Sequence, residues 1–187
     1  MDIIQRFVDV GLEKYSSLAT PDWDPMYIEK EEIQDSRFID AEKPKKEGLL
    51  AWKPIESLIT DDEILEVENE LKYPLPESFK AYLKYKNFYE LDVMSEVFLF
   101  RPLIPGIWKN NILDATFNGY PREFIYDKGL IPFGRYSDWG LTCFNTNKSA
   151  GGAEYEIVIW DHDDPYESEF RAESFDKMLK AILDNYE

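Results

Sequence analysis

His162 and Cys143 are the only histidine and the only cysteine among 187 residues, which limits the chemistry open to the chain. One imidazole removes every site that needs two, and a Cys143–His162 pair is the sole thiol nucleophile that could be assembled. Cys143 lies in the apolar run Leu141-Thr142-Cys143-Phe144, where a small buried thiol is the expected state. A lone cysteine also excludes an internal disulfide and the common cysteine-rich zinc sites, and it points to a reducing compartment. His162 belongs to an acidic stretch, Asp161-His162-Asp163-Asp164, with Glu167 and Glu169 close behind. The spacing, central glycine and closing glutamate of a calcium-binding EF-hand are missing, so no metal is expected there. What remains is an ordinary solvated loop or a surface offered to a basic partner. In the second case its charge would speed capture and compete with the partner's nucleic acid substrate.

Glycoside hydrolysis needs two carboxylates ~5–10 Å apart. With 38 acids, 12 Phe, 12 Tyr and 5 Trp, chance arrangements abound, so a carbohydrate-active enzyme is an alternative motivated by abundance alone. Tryptophans in a mixed domain most often end partly buried in the core. Trp108 and Trp139 are the better interface candidates, because Gly106-Ile107-Trp108-Lys109-Asn110 and Ser137-Asp138-Trp139-Gly140 have the glycine and polar neighbours of loops. The candidate partner-binding residues are therefore Trp108, Asp138 and Trp139 together with Asp161, His162, Asp163, Asp164 and Glu167. Residues 145–152 are small and glycine-rich but lack the spacing of a phosphate-binding loop, so they read as a flexible turn.

These residues must be carried by a folded scaffold. A chain of 187 residues makes one domain the default, and 44% apolar with 16% aromatic residues is far too much burial potential for a disordered chain. The formal net charge is −17, and residues 151–187 alone hold eleven acids against three bases. Such a surface repels phosphate backbones and anionic headgroups, so no direct nucleic acid or membrane partner is expected. The longest apolar runs, such as Val97-Phe98-Leu99-Phe100, fall far short of the ~20 residues that span a bilayer. Acidic Asp2 replaces the basic start of a secretion signal, which favours a cytoplasmic protein.

Ile3, Ile4, Phe7, Val8, Gly11, Leu12, Tyr15 and Leu18 follow helical spacing, predicting a helix over 2–18 capped by Asp2. A polar, proline-bearing connector follows to residue 48, strapped to the core by Trp23 and Phe38. Thr60-Asp61-Asp62-Glu63 is a capping box ahead of Ile64, Val67 and Leu71, predicting a helix over 61–72. Pro76 opens another, with Phe79, Tyr82 and Leu83 on one face, ending near Asn87. Strands are expected at 97–100, 124–126, 130–134, 141–144 and 155–160, the last two joined as a hairpin. Ser174 caps a closing amphipathic helix with Phe175, Met178, Leu179, Ile182, Leu183 and Tyr186 on its stripe. The order spells α+β: N-terminal helices, a central, mainly antiparallel sheet of about five to six strands, and a C-terminal helix.

Four stretches in this order resemble the SMI1/KNR4 family of the SUKH superfamily. They are Trp52-Lys53-Pro54-Ile55 with the capped helix; Leu75-Pro76-Glu77-Ser78-Phe79-Lys80-Ala81-Tyr82-Leu83; Ile131-Pro132-Phe133-Gly134; and Cys143-Phe144-Asn145-Thr146-Asn147, leading on to Ile159-Trp160-Asp161-His162-Asp163 and Ala172-Glu173-Ser174-Phe175. Where the family usually has Asn-Gly after the second helix this chain has Asn87-Phe88, and where it often has an acid the chain has Asn145. The resemblance implies residues 49–187 as the family domain and 1–48 as an extension. For bacterial members it implies an intracellular immunity protein that binds and neutralises the toxin domain of a polymorphic or contact-dependent system, such toxins frequently being nucleases. Fungal relatives imply a second reading, a regulatory scaffold for cell-wall synthesis enzymes. No catalytic residue and no cofactor come with the resemblance, and the chain is expected not to be an enzyme.

Overall fold

Asp2 starts α1 (Ile3–Ser17) by accepting from the Ile4 N–H at 3.4 Å, and the helix buries Ile4, Phe7, Val8, Gly11 and Leu12 along one stripe. The computed structural model describes residues 2–91, 95–149 and 153–186. The tip of the loop expected at 145–152 and the side chain of Tyr186 lie outside them. The connector after α1 has structure of its own. β1 (Tyr27–Glu29) pairs antiparallel with β2 (Leu49–Ala51), and a single 3-10 turn (Ser36–Phe38) drops Phe38 into the core. Trp23, by contrast, is 53% exposed and stands outside the core.

β3 (Ile55–Glu56) leads to α2 (Asp61–Leu71), whose capping box is complete. The Thr60 hydroxyl accepts from the Glu63 N–H and the Glu63 carboxylate accepts from the Thr60 N–H, each at 3.2 Å. The other Glu63 oxygen accepts from the Gly106 N–H at 2.9 Å, so one side chain holds the starts of two helices. α3 (Glu77–Leu83) ends earlier than its sequence pattern predicts. The Leu83 carbonyl accepts from the Ser57 hydroxyl at 2.7 Å, and the chain turns into β4 (Lys86–Asn87), which pairs with β3. The Asn87 carboxamide accepts from the Leu58 N–H at 2.7 Å. Lys72 and Ser137 are the only non-glycine residues with positive φ among those described, so nothing at Asn87-Phe88 requires the family's usual glycine.

Two sequence expectations fail between residues 106 and 128. The stretch read as a loop around Trp108 is α4 (Ile107–Phe117): Gly106, at φ 77°, turns the chain into the helix, and Trp108, Ile112 and Thr116 bury at four-residue spacing. The expected strand at 124–126 is a turn running into a 3-10 segment (Tyr126–Lys128) closed by Gly129 at φ 72°. Its apolar residues cover the sheet without joining it.

β5 (Val97–Leu99), β6 (Leu130–Tyr136), β7 (Gly140–Ser149), β8 (Tyr155–Asp161) and β9 (Ser168–Ala172) form one antiparallel sheet in that spatial order, and α5 (Phe175–Tyr186) closes the chain. The fold is α+β. The inner sheet face meets the helices through an aromatic cluster. Phe79 lies 5.9, 5.2 and 5.1 Å from Phe133, Phe144 and Phe175, and Phe133 stacks on Phe144 at 4.1 Å. α1 packs against α3 and α5. Ile4, Phe7, Val8, Leu12, Met26 and Phe38 therefore belong to the same core as Phe79 and Phe144. On the outer face Ile125, Leu130, Leu141, Cys143, Val158 and Trp160 form a second, smaller core. No helix among the described residues is long and apolar enough to cross a membrane.

Candidate partner-binding site

The β6–β7 and β8–β9 turns lie side by side at one end of the sheet because Gly140, which opens β7, pairs with Asp161, which ends β8. At the first turn Ser137 takes φ 51°, and its N–H donates to the Glu96 carbonyl at 2.6 Å. The Tyr136 hydroxyl donates to the Glu96 carboxylate, which pushes the phenol above its ordinary pKa. Asp138 projects into solvent and Trp139 is half-buried, its ring 5.1 Å from that of Tyr136 and nearly perpendicular to it. At the second turn an Asp161 oxygen accepts from the Asp163 N–H at 2.8 Å, and the Trp160 indole N–H donates to the Pro165 carbonyl at 3.2 Å. The turns are tied together by His162. Its backbone N–H reaches the Trp139 carbonyl at 3.4 Å, its Nδ1 contacts the same oxygen, and its Nε2 lies 3.4 Å from Asp163.

The structure thus gathers Asp138, Trp139, Asp161, His162 and Asp163, with Asp164 and Glu167 further along the same exposed turn. Trp108 is not among them. It is 2% exposed in the first turn of α4, packed in the main core, and its indole N–H has no hydrogen-bond partner. Its glycine and polar neighbours mark a helix start and a solvent face, not a loop. Sequence reasoning missed Glu96, which the β5–β6 pairing delivers and no local pattern announces. It also missed Arg171, whose guanidinium lies 5.6 Å from the Tyr136 ring centre, and the exposed rings of Tyr166 and Phe170. No local pattern announces Phe170 as a strand residue, because Ser168 through Arg171 are all exposed.

A Cys143–His162 pair does not form, since Cys143 is fully buried in the outer core while His162 is exposed and turned to Trp139. Burial pushes the thiol far above its ordinary pKa. A thiol-reactive dye is therefore expected to label the native protein at least ~100-fold more slowly than the urea-unfolded chain. Equal rates in the two states would place Cys143 at the surface. Among the described residues no group of three or more His, Cys, Asp or Glu is arranged to hold a metal ion.

Residues 58–181 match the family model of the SMI1 / KNR4 family (SUKH-1). The chain belongs to the SMI1/KNR4 family. Comparison with curated proteins finds no match. The SMI1/KNR4 match takes in both turns of the candidate site and every strand of the large sheet. It begins at Leu58, so Trp52-Lys53-Pro54-Ile55 and α1 lie ahead of it, although both Trp52 and α1 build the core that the matched region shares.

Proposed function

We infer that this chain is a cytoplasmic, non-enzymatic immunity protein. It binds a cognate toxin domain with the acidic, aromatic end of its sheet and blocks that domain's active site or substrate groove. Membership of the SMI1/KNR4 family is consistent with such a role. The observation that carries the proposal to this surface is the junction of the two turns through His162 and Trp139, which sets Asp138, Asp161, Asp163 and Asp164 on one end of a protein of net charge −17. A basic domain that binds nucleic acid is drawn to such a surface by the same long-range field that would bring its substrate.

Affinity capture from native lysate tests the reading, with this chain as bait at low and at moderate salt. The expected catch is one larger protein ending in a basic domain. Expression of that domain should arrest growth, and co-expression of this chain should restore it. Recovery of wall-synthesis enzymes instead would transfer the function to scaffolding, and a captured domain whose toxicity persisted would defeat the proposal.

A further inference from the structure

The acidic turn continues past its carboxylates into a pocket of about 270 Å³ on the outer face of the sheet, to which Pro165, Tyr166, Glu167 and Ser168 all contribute. The Phe124 and Tyr166 rings meet edge to face at 5.3 Å, and the Trp160 indole, 2% exposed, also lines the pocket. Tyr166 is 75% exposed, so this ring adds almost nothing to the core and leaves an aromatic surface open to solvent. Glu167 is the pocket's own carboxylate, and Asp163 and Asp164 precede it on the same turn.

We propose that this pocket receives an arginine side chain of the basic partner, its guanidinium lying against Tyr166 and Phe124 with Glu167 as counter-charge. This inference rests on the immunity reading above. A ring face attracts a cation, and the planar guanidinium both stacks on rings and forks onto a carboxylate, which an ammonium cannot do. Two of the chain's own arginines already lie against rings. Arg122 lies 4.5 Å from the Tyr126 ring centre, and Arg171 lies beside Tyr136. Two lysines also border the pocket. Lys148 is neutralised by Glu156 at 3.2 Å, whereas Lys128 opposes an incoming cation and so fixes the sign of one test.

The test follows the indole N–H resonance of Trp160, held at the pocket by the Pro165 carbonyl, while acetylated tri-arginine amide is titrated into isotope-labelled protein. A saturable shift is expected, with none from the tri-citrulline analogue. Tyr166→Ala should weaken binding roughly five- to thirty-fold, and Lys128→Ala should tighten it. Tyr166 is too exposed for its loss to unfold the protein, so the variant reports on the pocket alone. A shift that Tyr166→Ala leaves unchanged, equal binding of tri-lysine, or a response to inorganic phosphate that Lys128→Ala abolishes would each overturn the proposal. Failure with these peptides leaves toxin capture untouched, and failed capture leaves the peptide result standing, so the two readings fall separately.

Discussion

Removing residues 1–48 is expected to unfold the chain, not to release a smaller stable domain. The deletion strips Ile4, Phe7, Val8, Leu12, Met26 and Phe38 from the core that also holds Phe79, Phe144 and Phe175. Each large apolar residue lost from a core costs about 2–5 kcal/mol, and a typical domain has only about 5–15 kcal/mol in hand. The milder variant Phe7→Ala, at a fully buried position, should cost about 3–5 kcal/mol and lower the urea midpoint by more than ~1 M. Circular dichroism during urea titration reads both. A truncated chain that unfolded cooperatively at the full chain's midpoint would show that α1 merely lies on a self-sufficient core.

Reversing charge on the β8–β9 turn should slow association with the captured toxin domain by about 10–100-fold at low salt while changing dissociation far less. The informative variant combines Asp163→Lys and Asp164→Lys with Asp161→Asn. Asp161 is treated differently because its oxygen holds the Asp163 N–H at 2.8 Å, a bond that asparagine keeps. Raising ionic strength should bring the two proteins' rates together, since exposed charges are screened over ~8–10 Å at physiological salt. Stopped-flow mixing across a salt series measures this, and a wild-type rate indifferent to salt would make the acids spectators.

α2 was legible in the sequence because its start and its face carry independent signals, the capping box at Thr60 and the spacing of Ile64, Val67 and Leu71. α4 was hidden because its start depends on a glycine conformation at Gly106 and on a carboxylate, Glu63, supplied from forty-three residues away. The same error made Trp108 look accessible. β9 escaped because Ser168, Glu169, Phe170 and Arg171 are all exposed, so the strand lacks the buried alternation that betrays most strands. The run Phe124-Ile125-Tyr126 misled in the opposite direction, Phe124 and Ile125 being apolar because they pack in the outer core. The acidic half of the candidate site lay in one short sequence stretch and was found. Its junction with Trp139 depends on the register of Gly140 with Asp161, which pairing sets and composition does not encode.

The contact between α1 and α5 joins the first helix of this chain to its last. During synthesis the stripe bearing Phe7 and Val8 leaves the ribosome long before Phe175, Met178 and Leu179 exist to cover part of it. Until then no nascent fragment can bury it fully, and the contact that covers it joins residues far apart in sequence, which makes it slow to form.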